Sequence, residues 1–423
     1  MNNMNKYIIN KIGKISASEI DNKSYFFGMN CSISDDYILV SNMGNINKVY
    51  LYKNKNNKWL LETIIDLSTF DNISLEEDKQ NTPVSNFTII NGYIFKKQKI
   101  NIIISSLQNN IPNIHIFEYS DNLQLTSKIV LNSSYSYSQN ISSVCISDIY
   151  ASFILNKTFS NNSIDVYNTI VLFIYQLQTN KWIKIKEISN YLFTDSISLY
   201  DNNLIVGYNF LTNTMMSIAC IYNLMNINVE PFQLVPNNYK IIKRSTNVSI
   251  SKYTAIVSIE MNTYNKDTGS IIIFTYTDRK WNQTNVLYSN CNYDSIMSII
   301  YNNYIITREL IHDKNTNTFN IIISLYNKIK NYEKRVIDQT YYQDDSWSLI
   351  HTINQNSCIT DHTLYLFGIS MSISNNTFIL GVPNIYLLLC KDEDRDKCNE
   401  NGYVSIYNIE RNYEVKIFKN RSN

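Results

Sequence analysis

The sequence FGMNCSISDDYILVS at residues 27–41 returns with few changes as FGISMSISNNTFILG at residues 367–381. Each copy contains a short apolar stretch with alternating serines, a two-residue polar turn and a second apolar stretch. Short runs rich in Ile, Val, Tyr and Phe that are bounded by Asn or Asp are typical of β-strands. Both copies therefore predict a β-hairpin, and the hairpin is the start of a unit that recurs along the chain.

The recurring unit can be aligned seven times, and in each copy a third strand ends at a tyrosine and a fourth strand follows. The last apolar residues of the first strands are Ile33, Ile90, Ile146, Leu199, Ile250, Ile300 and Ile373. A repeat of about 50 residues with four short strands indicates a radial array of sheets and not a helical solenoid. The sequence thus predicts an all-β fold, a seven-bladed β-propeller with four antiparallel strands per blade.

The prediction treats residues 1–423 as one domain. Its blades span residues 24–66, 83–131, 139–189, 192–236, 245–288, 293–353 and 364–418. Two segments compete for the outer edge of blade 7: residues 7–15 and residues 413–418. The pattern alone does not decide which terminus closes the ring. We expect 7–15 to pair on blade 7, because joining the two ends of the chain closes the ring and leaves no long bare edge.

All four tryptophans fall at one position of the repeat, near the start of the fourth strand: Trp59, Trp182, Trp281 and Trp347. We interpret them as fillers of the space between neighbouring blades and not as ligand-stacking residues. The serines of the first strands suit the narrow, inner end of a wedge-shaped blade. Glycine is rare, with 9 residues, so asparagine is expected to occupy turns with positive φ. The pairs Asn202-Asn203, Asn302-Asn303 and Asn375-Asn376 are the examples. The pair Asn91-Gly92 is predicted to be the first turn of blade 2.

Charge and composition limit the classes of function. Lys+Arg 37 and Asp+Glu 36 nearly cancel, which argues against a nucleic-acid binder that works by phosphate neutralisation. No apolar run is long enough to span a membrane, and residues 1–20 contain no run typical of a signal peptide. The seven cysteines are scattered, and Cys31, Cys145 and Cys220 fall in predicted strands as small core residues. These features favour a reducing compartment, either the cytoplasm or a virion. The abundance of Asn, Ile, Tyr and Lys suggests an AT-rich genome such as that of a giant virus.

The order Phe-Gly, Ser-Ile-Ser, turn, Tyr-Ile-Leu-Val, loop and Trp resembles the FG-GAP repeat of integrin-α-like seven-bladed propellers. The diagnostic letters stand at Phe27-Gly28, at Phe367-Gly368 and at Gly381-Val382-Pro383. The middle blades keep the strand pattern and lose these letters. The resemblance supports the propeller fold, and it transfers no activity from any member of the family.

One acidic string, at residues 392–402, has the composition of a calcium loop. Carboxylates at alternate positions, Asp392, Asp394 and Asp396, are the weak candidate ligands for a hard cation. Arg395 and Lys397 oppose the charge, and Lys397 stands where the turn glycine of such a loop is needed. The resemblance also implies that calcium loops of this family lie between the first and second strands, where this chain has room for only two residues.

We therefore expect no metal and no cofactor, with calcium as the weaker alternative. Cys390 and Cys398 bracket the acidic string. Whether they form a disulfide stays open, because the spacing permits it and a reducing compartment opposes it.

The predicted loops differ in length between the two faces of the disc. Long loops at residues 66–84, 156–168, 259–269 and 383–402 are expected on one face, which is where binding on a rigid scaffold usually occurs. No nucleophile elbow, phosphate-binding loop or metal-ligand spacing is present. The leading hypothesis is a non-catalytic protein-interaction or structural module with its partner on the long-loop face. A carbohydrate-binding propeller and a hydrolase or lyase with its site in the central channel are the alternatives.

Overall fold

The computed structural model describes residues 6–16, 27–41, 48–70, 91–97, 99–108, 111–120, 122–131, 138–160, 166–190, 193–208, 217–237, 242–263, 266–292, 296–313, 318–331, 344–358, 368–383 and 402–412. These residues form a seven-bladed β-propeller in which every blade is a four-stranded antiparallel sheet. Helical structure in this part of the chain is limited to two 3-10 turns, Leu67–Phe70 and Leu224–Asn226.

The first strand of the chain, β1 (Lys6–Ser16), is followed by three blades. Blade 1 contains β2 (Asn30–Ser34), β3 (Tyr37–Ser41), β4 (Lys48–Lys55) and β5 (Lys58–Asp66). Blade 2 contains β6 (Gly92–Lys96), β7 (Ile100–Gln108), β8 (Ile111–Tyr119) and β9 (Leu123–Val130). Blade 3 contains β10 (Ser138–Ile146), β11 (Tyr150–Ser160), β12 (Val166–Gln178) and β13 (Lys181–Ser189).

Four more blades complete the ring. Blade 4 contains β14 (Phe193–Tyr200), β15 (Asn203–Tyr208), β16 (Ala219–Asn223) and β17 (Phe232–Leu234). Blade 5 contains β18 (Ile242–Ser251), β19 (Thr254–Thr263), β20 (Lys266–Thr277) and β21 (Lys280–Asn292). Blade 6 contains β22 (Ile296–Tyr301), β23 (Tyr304–Asp313), β24 (Thr318–Asn331) and β25 (Asp344–Cys358). Blade 7 contains β26 (Ser370–Ser374), β27 (Thr377–Val382) and β28 (Tyr403–Asn412).

The N-terminal strand closes the ring, as predicted. β1 pairs antiparallel with β28 and supplies the fourth strand of blade 7, with Ile9 opposite Ile409 and Ile15 opposite Val404. A bulge between Lys11 and Gly13 shifts the register halfway along the strand. The competing segment, residues 413–418, lies outside the described residues.

The two sequence elements that carry the FG-GAP resemblance meet at this closure. Gly28 of blade 1 has φ +88°, and a Cβ added to Gly381 of blade 7 would lie 2.1 Å from the Gly28 carbonyl oxygen. Only glycine permits so close an approach of two backbones. This contact accounts for Gly28 and Gly381, the two diagnostic glycines that meet at the closure.

Two turn assignments made from the sequence are wrong. Asn91-Gly92 is not the first turn of blade 2, because residues 92–96 form its innermost strand β6 and the turn follows at residues 97–99. Gly92 lies where blades 1 and 2 meet, and a Cβ there would lie 2.9 Å from Cδ2 of Leu39 in blade 1. In blade 4 the turn is Asp201-Asn202, one residue earlier than predicted, and Asp201 has φ 48°. Asn302 and Asn375 do occupy positive φ, at 51° and 52°.

Hydrogen bonds from side chains join the innermost strands of neighbouring blades. The first strand of a blade has one edge without a strand partner, so its N–H groups need other acceptors. Between blade 7 and blade 1 the acceptors are serine hydroxyls: Cys31 N–H donates to Ser370 Oγ (2.7 Å), Ile33 N–H to Ser372 Oγ (3.1 Å) and Asp35 N–H to Ser374 Oγ (2.9 Å).

The same arrangement recurs at three more junctions. Three backbone N–H groups of blade 2 donate to side chains of blade 1: Gly92 to Asn30 Oδ1 (3.2 Å), Ile94 to Ser32 Oγ (3.2 Å) and Lys96 to Ser34 Oγ (2.8 Å). Blade 5 donates to blade 4 from Val248 to Ser196 Oγ (2.9 Å) and from Ile250 to Ser198 Oγ (3.2 Å). Blade 6 donates to blade 5 from Ser298 to Asn247 Oδ1 (3.2 Å), from Ile300 to Ser249 Oγ (3.1 Å) and from Asn302 to Ser251 Oγ (2.8 Å).

The remaining junctions have an apolar or aromatic side chain at one or more of the equivalent positions. Tyr93 and Phe95 pack between blades 2 and 3, Cys145 between blades 3 and 4, and Ile299 and Tyr301 between blades 6 and 7. The first strands thus alternate: one set of side chains enters the core shared with the preceding blade, and the other set meets the following blade. The Ser-Ile-Ser motif is the sequence record of this alternation.

The hydrophobic core consists of seven clusters, one between each pair of neighbouring blades. Each tryptophan is half-buried against one of them, as interpreted from the sequence. Trp59 lies between blades 7 and 1, Trp182 between blades 2 and 3, Trp281 between blades 4 and 5, and Trp347 between blades 5 and 6. Cys31, Cys145 and Cys220 are buried in these clusters with free thiols, as expected.

The ring closure predicts a contrast between two isoleucines of β1. Ile15 is 4% exposed in the cluster between blades 7 and 1, whereas Ile12 is 46% exposed. Ile15→Ala should lower the free energy of unfolding by about 2–5 kcal/mol. The control, Ile12→Ala, should change it by about 0.5 kcal/mol or less. Urea-induced unfolding measures both, and equal effects of the two substitutions would contradict closure by β1.

Candidate interaction surface

The disc has two faces that differ in their loops. The first-to-second and third-to-fourth turns of each blade lie on one face, which we call the turn face. Short hydrogen bonds tie these turns together: Asn54 N–H donates to the Asp36 carbonyl (2.8 Å), and Leu224 N–H donates to the Asn202 carbonyl (2.8 Å). The turn face therefore presents its side chains from a fixed backbone.

The opposite, long-loop face is only partly described. Two of its four predicted loops are largely strand. In the predicted loop 156–168, residues 156–160 belong to β11 and residues 166–168 to β12. In the predicted loop 259–269, residues 259–263 belong to β19 and residues 266–269 to β20. The middle strands of blades 3 and 5 therefore form long hairpins with short connections. The other two predicted loops, at residues 66–84 and 383–402, lie mostly outside the described residues.

Exposed apolar side chains form an arc on the turn face across blades 3, 4 and 5. We call this arc the blade 3–5 patch. It consists of Ile149 (43% exposed), Met225 (69%), Val229 (66%) and Tyr253 (56%). Ile149 lies between β10 and β11, Tyr253 in the turn between β18 and β19, and the other two in the connection between β16 and β17.

Blade 4 departs from the repeat at this place. Blades 1, 3 and 5 have a two-residue turn before a fourth strand of 9 to 13 residues. Blade 4 instead has the 3-10 turn Leu224–Asn226 and a fourth strand of only three residues. The Asn223 side chain caps the 3-10 turn by accepting the Met225 N–H (3.1 Å). Leu224 is buried beneath this turn, whereas Met225 and Val229 of the same connection are exposed.

Hydrogen bonds connect the blade 3 and blade 4 parts of the patch. The Tyr150 hydroxyl of blade 3 donates to the Leu224 carbonyl of blade 4 (3.3 Å). Leu224 N–H in turn donates to Asn202, beside Asp201. These bonds place Ile149, Met225 and the first turn of blade 4 next to one another on a common support.

Charged residues stand beside the patch, near the mouth of the central channel. Lys97 of blade 2 lies 3.9 Å from Asp148 of blade 3 and 3.8 Å from Asp201 of blade 4. The side chains of Lys97 and Asp201 are 61% and 53% exposed, and that of Asp148 is 31% exposed. Partial burial raises the pKa of Asp148, and Asp201 adds to the rise while Lys97 opposes it.

Tyrosines surround the same mouth. Burial raises the pKa of Tyr200, and the nearby Asp201, Tyr301 and Tyr253 act in the same direction. The side chains near the channel mouth on the turn face thus combine two carboxylates, one ammonium group and phenol rings from several blades.

None of the metal candidates from the sequence can be placed. Asp392, Asp394 and Asp396 lie outside the described residues, as do Cys390 and Cys398. Within the described ranges, no three side chains of His, Cys, Asp or Glu come together as a metal site. His115 is buried and stacks on Phe117, with ring centroids 6.3 Å apart, which is a packing arrangement. The described part of the chain also contains no helix of the length and apolarity needed to cross a membrane.

Comparison with known proteins identifies no family for this chain. No protein-family model matches the chain, so membership of the FG-GAP family is not shown, and no curated protein matches its sequence. Solved structures that align with this chain include the WD40 domain of SCAP from fission yeast, with 9% sequence identity and a TM-score of 0.42; the alignment covers 95% of this chain and 98% of that one. Another is Sqt1 from Saccharomyces cerevisiae (10% identity, TM-score 0.42, 93% of this chain and 98% of that one). Similarity at this level carries no argument about function.

Sequence reasoning missed the blade 3–5 patch and its charged neighbours. One signal was available: blade 4 alone among the middle blades has a proline, Pro231, where its fourth strand should begin, and it lacks the tryptophan of blades 3 and 5. A break in a repeat indicates a place where the local structure changes. The approach of Lys97 to Asp148 and Asp201 has no counterpart in the linear pattern.

The raised pKa of Asp148 predicts a gain in stability when its charge is removed. The ionised carboxylate is less favourable in the folded chain than in the unfolded one, so this cost appears as pH rises above the ordinary value of 3.8. Asp148→Asn should therefore raise the urea midpoint at pH 7 and leave it nearly unchanged at pH 3.5. Asp36→Asn, which removes a 2.5 Å contact with Lys96, is the control and should not raise it. A lower midpoint for Asp148→Asn at pH 7 would contradict the assignment.

Proposed function

We propose that this propeller is a non-catalytic protein-interaction or structural module. The observation that carries the proposal is the blade 3–5 patch, in which four apolar side chains that are 43–69% exposed belong to turns of three successive blades on one face. Hydrogen bonds join the turn of Ile149 to the connection that carries Met225. Contiguous exposed apolar surface rimmed by polar groups is typical of protein-binding sites. A rigid support lowers the entropy cost of binding, because the surface is ordered before the partner arrives.

The turn face is the surface that the described contacts favour. The partner on the long-loop face that the sequence predicts remains a separate proposal, since loops on a rigid scaffold commonly bind ligands. The two proposals are compatible, because a disc can bind different partners on its two faces.

Two alternatives keep one supporting observation each. Tyr253 and Tyr288 are 56% and 70% exposed, and exposed aromatic rings suit a carbohydrate ligand. Asp148 and Asp201 meet near the channel mouth, and a carboxyl of raised pKa suits a hydrolase or lyase. The protein-interaction proposal is preferred because neither alternative accounts for Met225 and Val229.

Other proposals rest on the sequence alone. They are a relationship to FG-GAP propellers, a cytoplasmic or virion location with a giant virus as source, no specific nucleic-acid binding, and no cofactor. Calcium at Asp392, Asp394 and Asp396 is the weaker alternative. A melting temperature that does not change when calcium is added or chelated is the expected result for these residues.

The proposal is tested by cross-linking the purified chain to proteins of its native source. The wild type should capture specific proteins that the double variant Met225→Glu/Val229→Glu does not. The matched control Leu60→Glu changes a residue that is also exposed, at 47%, but lies on the outer strand of blade 1, and it should capture the same proteins as the wild type. Identical capture by all three chains would contradict an interaction through the patch.

A further inference from the structure

We infer that the patch receives a polypeptide segment in which a lysine or arginine is flanked by apolar side chains. The partner's cation takes the place of Lys97 between Asp148 and Asp201, while its apolar neighbours contact Ile149, Met225, Val229 and Tyr253. The inference rests on the proposed function and names the chemistry of the partner.

The first argument is the weakness of the existing ion pairs. Lys97 stands 3.9 Å and 3.8 Å from its two carboxylates, beyond hydrogen-bond distance. The adjacent lysines differ, since Lys96 lies 2.5 Å from Asp36 and Lys99 lies 2.8 Å from Glu118. Exposed ion pairs without direct contact contribute little to stability. Displacing Lys97 therefore costs the fold little.

The second argument is the balance of charge. Lys97 lies within 4 Å of both Asp148 and Asp201, so these three side chains together carry a net negative charge. Lys252 is a second cation of the region, and its Nζ lies 5.1 Å from the centroid of the Tyr253 ring. Asp148 is the less exposed of the two, at 31% against 53% for Asp201, and it has lost part of its hydration. A cation of the partner that makes direct hydrogen bonds to Asp148 compensates this loss, and arginine can bind a carboxylate through two parallel bonds.

The third argument is the position of the apolar residues. Asn202, next to Asp201, accepts a hydrogen bond from Leu224, and Met225 follows Leu224 in the chain. Ile149 directly follows Asp148, and Tyr253 is close enough to influence the pKa of Tyr200, beside Asp201. Each carboxylate thus has an apolar residue of the patch next to it in the chain or across one hydrogen bond. A free amine or a metal ion would use the charges and leave this apolar arc uncovered, whereas a peptide covers both.

The test uses fluorescent 12-residue peptides and the full chain, with binding followed by fluorescence anisotropy. One peptide has a central arginine flanked by leucines, a second has glutamine in place of arginine, and a third keeps arginine but has serines in place of the leucines. The arginine–leucine peptide should bind about fivefold more tightly than either of the others.

Variants of the chain separate charge from fold. Asp201→Asn and Asp148→Asn should each weaken the arginine–leucine peptide about fivefold, and Lys97→Gln should strengthen it about threefold, because a competing cation is removed. Lys99→Gln, which removes a cation of the same turn that contacts Glu118, is the matched control and should not change binding. The glutamine peptide should not distinguish these four variants from the wild type.

The outcomes distinguish a failure of this inference from a failure of the proposed function. Equal binding of the arginine and glutamine peptides, or no effect of Asp148→Asn and Asp201→Asn, overturns the basic partner. If the Met225→Glu/Val229→Glu variant fails to capture the proteins that the wild type captures, the proposed interaction module stands even when the basic partner is overturned. If no peptide binds and capture by that variant equals the wild type, both proposals fail.

Discussion

The structure depends on how the innermost strand of each blade satisfies its free edge. Seven sheets that meet around a channel expose seven inner edges, and each edge carries N–H groups that need acceptors. Serine and asparagine side chains of the neighbouring blade supply those acceptors at four junctions, as in the bond from Ile300 to Ser249. The alternation of small polar and apolar residues in the first strands follows from this requirement, because alternate side chains of a strand point to opposite blades.

The ring then determines what the turn face can present. Because backbone hydrogen bonds tie turns of the same blade together, an irregular connection in one blade can change the surface while the three inner strands of its sheet stay paired. Blade 4 uses this freedom: its capped 3-10 turn exposes Met225 and Val229 while Leu224 stays buried. The adjoining Asp148 and Asp201 belong to ordinary turns and share a single, distant lysine. A regular scaffold with one local exception is a simple physical basis for a specific binding surface.

Much of the fold could be predicted from the sequence because it is recorded in local, repeated patterns. Seven blades, the tryptophan positions and closure by residues 7–15 follow from periodicity and from the need to pair edges. The failures come from contacts between distant residues. Asn91-Gly92 has the composition of a hairpin turn, yet Gly92 lies in the innermost strand of blade 2 and packs against Leu39 of blade 1. Residues 156–168 have the composition of a loop, yet pairing between β11 and β12 makes most of them strand. The surface near the channel mouth depends on three blades at once and leaves no periodic signal.

Amide hydrogen exchange tests the inner-edge bonds most directly. The amides of Ile33, Ile94, Val248 and Ile300 donate to side chains of a neighbouring blade, so they should be protected as strongly as amides in the middle of β3 and β19. Ser249→Ala should release the Ile300 amide, whereas Ser106→Ala, whose hydroxyl has no partner within the described residues, should release none. Exchange of the four amides in the wild type as fast as that of exposed turn amides would contradict the account.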